Sequence, residues 1–314
     1  MKKRYNSFVG YFKKKYGQRL QKIVLDAGFT CPNRDGKVGW GGCTYCDNAA
    51  FHPSYSSPCK PLHQQIDEGI EFHKRRYRKT EHYLAYFQSY SNTYASLDRL
   101  RILYEDALAH PDVVGIVIGT RPDCVDEEKL DYLKELKDRG KVVIIEYGIE
   151  SCHNKTLERI NRGHNFEVAQ KAVEMTAERG LDVGAHFIIG LPGETKEMIL
   201  DAVDLINTLP INSAKFHQLQ IVRGTKMEKE FAERREDFLC FTLDDYIDFF
   251  IDILERLRPD LYIERFVGEV PPRFVNETPW GLIRNVELLR LLDKRLEERD
   301  TFQGRLYSVR TLST

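Results

Sequence analysis

Residues 31–46 read CPNRDGKVGWGGCTYC, with cysteines at Cys31, Cys43 and Cys46. Eleven residues separate the first two and two separate the last pair. A C-x2-C pair can place two thiolates on one metal centre. The interposed glycines let the backbone pass close to that centre without a side-chain clash. Three thiolates suit an iron–sulfur cluster that keeps one iron open for a small ligand. A zinc knuckle competes, with Cys59, His52 or His63 as the fourth ligand. The surroundings tilt the balance. The loop follows Lys22–Asp26, an apolar run that reads as a strand. In β/α barrels the C-terminal ends of strands are where chemistry is done. Structural zinc more often staples small modules that lack a core.

Outward from this loop the chain alternates strand-like and helix-like segments. Strands are expected at Lys22–Asp26, Tyr83–Gln88, Val113–Gly119, Val142–Tyr147, Val183–Gly190 and Lys215–Val222, short runs rich in Val, Ile and Phe. Amphipathic helices are expected at Leu62–Arg76, Leu97–His110, Glu127–Arg139, Phe166–Arg179 and Lys196–Thr208. Six β-then-α units imply an α/β fold with a parallel sheet and right-handed crossovers. They fit a partial (β/α)6 barrel or a doubly wound sheet and fall short of a closed (β/α)8 barrel. Past residue 240 the pattern changes to two long helices, Leu243–Leu257 and Leu282–Glu298, with a strand candidate at Leu261–Phe266 between them. This predicts a core over 1–240, N-terminal arm included, and a mostly helical C-terminal extension over 241–314.

Composition sets outer bounds. The 314 residues are 42% hydrophobic and 30% charged, an ordinary globular balance that excludes a wholly disordered chain. Lys and Arg total 47 against 48 Asp and Glu, so the chain is not globally built to coat nucleic acid. Seven cysteines are too few for a disulfide scaffold. No apolar run approaches the roughly 20 residues of a membrane-spanning helix. The basic start MKKRYNSFVGYFKKKYG has too short an apolar run for a signal peptide. A cytoplasmic protein with no membrane partner is expected.

The cysteine loop resembles the radical S-adenosylmethionine (SAM) superfamily, whose signature is C-x3-C-x-aromatic-C after the first strand of a partial barrel. Cys43-Thr-Tyr45-Cys46 matches its second half. The longer first spacing is similar to the bacterial YhcC/YtqA-like subfamily, with CPNRDG…GxGGCxYC, and to relatives of the elongator catalytic subunit. The resemblance covers nearly the whole chain, including PW, WG and QG turns near the C-terminus. It implies that Cys31, Cys43 and Cys46 hold a [4Fe–4S] cluster and that SAM chelates the fourth iron. Tyr45 would then sit beside adenine. Gln88 and Ser89, after the second strand, would contact the methionine amino group. An ordinary Ser/Asn turn is the other reading there, and the superfamily's Gly-Gly-Glu is absent. Glu150, in Glu146-Tyr-Gly148-Ile-Glu150-Ser151, would accept from the ribose hydroxyls. Glu146 shares its alternating face and is costly there unless paired. Arg162, in Arg162-Gly163-His164, would bind the SAM carboxylate, or cap a helix end, and the two are compatible. Gly190 and Leu191, in the Gly-Leu-Pro-Gly segment, would lie against adenine. Arg121 and Asp123 could bind substrate or pair with each other, and His186 faces either the barrel or the core.

The same resemblance implies reductive cleavage of SAM to a 5′-deoxyadenosyl radical that abstracts hydrogen from an unactivated carbon. It suggests tRNA as substrate, with a wobble uridine side chain remodelled from carboxymethylaminomethyl to aminomethyl. It also implies a low-potential electron donor such as flavodoxin or ferredoxin. With no acetyltransferase domain after the barrel, the full elongator reaction is not expected. Basic clusters at Lys13–Lys15, Lys74–Lys79 and Arg234–Arg235 fit an RNA partner. They also support a rival reading, a zinc-stapled RNA-binding module without radical chemistry. A metal-dependent hydrolase ranks last, for want of a His-rich ligand set. Cys59, Cys124, Cys152 and Cys240 are isolated and read as packing or surface residues.

Overall fold

A right-twisted strand followed by an amphipathic helix packs back on its own sheet by a right-handed crossover, and this chain repeats that unit. The computed structural model describes residues 3–74, 80–268, 270–275, 277, 280 and 283–308. The strands are β1 (Gln21–Leu25), β2 (Tyr83–Phe87), β3 (Val113–Thr120), β4 (Val142–Glu150), β5 (Asp182–Ile189), β6 (Ser213–Gln218) and β7 (Tyr262–Arg265). The helices are α1 (Phe8–Tyr16), α2 (Leu62–Lys74), α3 (Leu97–Leu108), α4 (Glu127–Asp138), α5 (Asn154–Arg159), α6 (Phe166–Glu178), α7 (Lys196–Thr208), α8 (Lys226–Glu233), α9 (Leu243–Arg256) and α10 (Asn285–Glu298).

All seven strands form one sheet in chain order, each parallel to the next. The sheet curls into an open half-barrel. Lys22 on β1 lies 2.7 Å from Glu264 on β7, the opposite edge. Laid flat, six strand spacings would hold these edges roughly 30 Å apart. Alternating residues then divide between two cores. Phe87, Ile116, Ile118, Val143 and Ile145 pack outward with the helices. Leu84, Tyr86, Val117 and Ile144 face the lumen.

The lumen is stoppered at its N-terminal end by α1, a helix within the basic N-terminal arm. Ser7 caps this helix by accepting from Gly10 N, and Gly17 ends it at φ 73°. Its Phe8, Tyr11 and Phe12 join the lumen core. Tyr16 Oη donates to Asp182 Oδ2 at the start of β5 across 2.8 Å, and Lys15 pairs with the same carboxylate.

Several bounds differ from expectation. β6 stops at Gln218, not Val222, because the Gln218 amide turns to exchange two bonds with the backbone of Gly268 (3.1 and 2.8 Å). The strand candidate at Leu261–Phe266 forms as β7 and extends the same sheet. Helix α10 begins at Asn285; Leu282 lies outside the described residues, as do positions 75–79 of the second basic cluster. Among the described residues no helix is long and apolar enough to cross a membrane.

Candidate active site

The eleven-residue spacer in the cysteine loop is a folded lobe. Cys31 O accepts from Arg34 N and Cys43 O from Cys46 N, at 2.8 and 3.0 Å. Gly42, at φ 80°, turns the chain so that its N–H meets Asn33 O and its carbonyl accepts from Asn161 Nδ2, both at 2.8 Å. A side chain would be strained at that φ. Thr44 N donates to Ile160 O at 3.0 Å, docking the lobe on the turn after α5. Cys43 is buried and Cys31 and Cys46 are half-buried. All three line one cavity of about 260 Å³ at the C-terminal ends of the strands. Burial, then the neighbouring Cys43, pushes the Cys46 thiol up to about 11.

A second group of residues reaches this cavity from β4. A bulge between Gly148 and Glu150 sets two β4 residues against one on β5, and Glu150 takes φ 72°. Bulges of this kind re-aim side chains beside active sites. Glu150 Oε1 then lies 3.7 Å from Arg162 Nη2, which also donates to Gly148 O. Arg162 Nη1 is 3.5 Å from Cys43 Sγ, and Asn33 Nδ2 is 3.7 Å from the same sulfur. Gly148 is required for this closeness. A Cβ there would stand 2.5 Å from Glu150 Oε1 and 2.8 Å from Arg162 Nη2. Arg162 also closes the helix end, its N–H donating to Leu157 O at 2.8 Å before Gly163 at φ 78°. The capping role and the site role coexist.

The structure gathers Cys31, Cys43, Tyr45, Cys46, Gln88, Glu150 and Arg162 around the cavity. Three expected residues stand apart. Ser89 is buried and turned away, its Oγ 2.8 Å from His52 Nε2, while His52 Nδ1 lies 3.5 Å from Asp26. Gly190 faces Leu239 and Phe241, and Leu191 is fully buried in the outer core. Ile188, Gln218 and Leu219 form that wall of the cavity instead. Arg121 and Asp123 are a bidentate pair at 2.8 and 2.7 Å, with Arg121 against the cavity.

Beneath the site Glu146 and His186 belong to a charged layer whose other members no local sequence pattern singles out. Glu146 receives Lys22 and Lys215, each at 2.5 Å, and His186 Nε2 at 3.1 Å. Lys22 and Lys215 also reach Glu264, and Lys215 Nζ donates to Tyr86 Oη at 3.1 Å. Burial alone would raise the Glu146 carboxyl, but the two lysines outweigh it and hold it well below the usual carboxylate range. Burial and then Lys215 depress His186, and burial and then Arg265 depress His217. Only the curl of the sheet brings together these polar residues of β1, β2, β4, β5, β6 and β7.

Two of the three candidates for a fourth zinc ligand are engaged elsewhere. His52 serves Ser89 and Asp26, His63 Nε2 lies 2.8 Å from Asp106 O, and Cys59 is exposed. Among the described residues no three His, Cys, Asp or Glu side chains are grouped to hold a single metal ion. The basic clusters are partly structural: Lys15 pairs with Asp182 and Arg235 with Glu277.

A seven-stranded half-barrel with three cysteines at its C-terminal mouth defines a class, and the family comparison agrees. The model of the radical SAM superfamily matches residues 31–206, and that of the radical SAM C-terminal domain matches residues 211–298. The chain belongs to the radical SAM superfamily, enzymes that use SAM with a [4Fe–4S] cluster. A zinc-stapled module without radical chemistry is thereby set aside. The chain is 39% identical to Protein YhcC of Escherichia coli K12 over 246 residues, 78% of this chain and 77% of that one. It is 34% identical to the uncharacterized protein YtqA of Bacillus subtilis 168 over 305 residues, 97% and 93% of the two chains. A shorter match, 29% over 132 residues, joins it to a tRNA uridine(34) acetyltransferase of Methanocaldococcus infernus, covering 40% of this chain and 24% of that one. Among solved structures, M. infernus Elp3 lacking residues 1–46 shares the fold, with a TM-score of 0.67 at 17% identity. That likeness covers 90% of this chain and 64% of Elp3.

Proposed function

We propose that Cys31, Cys43 and Cys46 hold the [4Fe–4S] cluster, that Glu150, Arg162, Gln88 and Tyr45 bind SAM, and that the enzyme acts on a wobble uridine of tRNA. The substituent would pass from carboxymethylaminomethyl to aminomethyl, the two lost carbons leaving as glyoxylate, with water supplying the aldehyde oxygen and SAM, consumed, serving as the two-electron oxidant. The observation that carries the reading is that three thiols and these four side chains open on a single cavity. The donors fit an anionic sulfur centre: Arg162 and Asn33 both point N–H groups at Cys43 Sγ. Arg162 Nε and Arg121 Nη1 are buried without a partner, which suits a carboxylate such as that of SAM.

Bound together, cluster and SAM supply a hydrogen-abstracting radical. The chain's own residues do the rest. Arg162 holds positive charge beside Cys43 and orients a carboxylate. Glu150, aimed by the bulge, accepts from hydroxyls. The aromatic stopper of α1 and the closed charge layer above it keep water out of the lumen.

Support for tRNA comes from the short match to a tRNA uridine(34) acetyltransferase. It also comes from a groove of about 880 Å³ that shares Gln218, Leu219 and Gln220 with the cysteine cavity. Phe231, Phe241 and Trp280 line this groove half-buried, over the buried Phe238, and supply aromatic surface of the kind that bases stack on. The test is anaerobic incubation of cluster-loaded enzyme with SAM, a strong reductant and tRNA carrying carboxymethylaminomethyluridine. Nucleoside mass spectrometry should show aminomethyluridine; unchanged nucleoside would refute the substrate assignment.

A further inference from the structure

Along a regular strand neighbouring side chains point to opposite faces. Glu264 and Arg265 break that rule. Ala214 pairs with Ile263 but Lys215 pairs with Arg265, so one extra residue, Glu264, is inserted in β7. The bulge lets both side chains serve the lumen. Glu264 reaches down to Lys22 and Lys215, at 2.7 and 3.2 Å. Arg265 is exposed and lines the cysteine cavity beside His217.

The charges in this wall do not cancel. Lys22, Lys215 and Arg265 stand against Glu146 and Glu264, three positive groups against two negative. The two lysines are shared between the two carboxylates. Burial and the neighbouring cations both disfavour the protonated forms of His186 and His217. On the cysteine side, Arg121 has Asp123, Arg162 has Glu150, and Arg34 lies over the Tyr90 ring, 5.7 Å from its centre. Among the described residues Arg265 has no carboxylate partner, so the excess positive charge of the lumen wall resides on its guanidinium.

We propose that Arg265 is a specificity residue that receives the carboxylate of the substrate's side chain. This rests on the reading that the substrate carries a carboxymethylaminomethyl group, whose one anionic end is a carboxylate. A planar guanidinium accepts such a group through two parallel hydrogen bonds. One bound carboxylate brings the wall to neutrality. The aminomethyl product lacks that group and is released more readily.

The test uses cluster-loaded, full-length protein without reductant, so that nothing turns over. Its probes are two synthetic anticodon stem–loop RNAs, one with 5-carboxymethylaminomethyluridine at the wobble position and one with 5-aminomethyluridine. Wild type should bind the first about tenfold or more tightly, the scale of a charge-assisted pair. Arg265→Gln should reduce that preference to within about threefold, and Arg265→Lys should keep part of it. Iron content and melting temperature report on folding of each variant. If Arg265→Gln weakens both RNAs equally, Arg265 holds a backbone phosphate and the proposal is wrong. A variant that keeps the full preference also overturns it. Failure of wild type to bind either RNA would instead overturn the wobble-uridine reading, and this inference with it.

Discussion

Arg162 Nη1 lies 3.5 Å from Cys43 Sγ, so the turn after α5 delivers a guanidinium to the middle cysteine of the loop after β1. The same side chain reaches Gly148 O and Glu150. One arginine thus ties the proposed cluster loop to the proposed SAM-binding strand end. Its removal should separate the two functions. Arg162→Ala should retain most of its iron and lose about tenfold or more in SAM affinity, the worth of a charge-assisted contact. The check is SAM binding by the reconstituted protein alongside iron analysis. Unchanged affinity would show that Arg162 is only a helix cap.

Gly148→Ala tests the same junction from the backbone. The added Cβ meets the ends of two movable side chains, Glu150 and Arg162, not backbone atoms. The fold should tolerate it, with a melting temperature within a few degrees of wild type, because such ends can swing aside. The displaced pair should cost about tenfold in SAM affinity. Equal affinity in the variant would mean that neither carboxylate nor guanidinium position matters.

Glu146→Gln addresses the charge layer. Glu146 is 1% exposed and compensates Lys22 and Lys215. Removing it leaves two buried ammonium groups under-paired, a change that costs about 3–5 kcal/mol and roughly 5–10 °C in melting temperature. The carboxyl is depressed in the folded state, so its stabilisation is present above its ordinary value of 4.5 and lost as pH falls through the lower folded value. Wild type should therefore lose more stability than the variant as acid is added below pH 4.5. Parallel melting curves for both proteins across that range decide it.

Much of the fold was legible because β3, β4 and β5 are short Val- and Ile-rich runs and each crossover helix keeps one apolar stripe. β4 and β5 are found within a few residues of expectation. The cysteine loop was legible because its chemistry is local, with all three thiols inside sixteen positions. What was hidden is non-local. Lys22, Tyr86, Lys215, Glu264 and Arg265 come from four strands, and each alone looks like a stray polar residue. α1 was hidden because its lysines, outward on a short helix, mask Phe8, Tyr11 and Phe12 on the inner face. Ser89, Gly190 and Leu191 lie off the cavity, for packing reasons. His52 draws Ser89 off the cavity, and the Leu239–Phe241 segment covers Gly190.

A SAM-cleaving iron–sulfur cluster on this cysteine loop has a direct chemical signature. The most direct measurement is 5′-deoxyadenosine formation by anaerobically reconstituted wild type and Cys43→Ala, with iron and zinc quantified in both. Wild type should hold about four irons per chain and release deoxyadenosine from SAM only when dithionite is present, while Cys43→Ala should hold almost no iron and release none. Stoichiometric zinc with no deoxyadenosine from wild type, or full iron in Cys43→Ala, would show that these cysteines do not carry such a cluster.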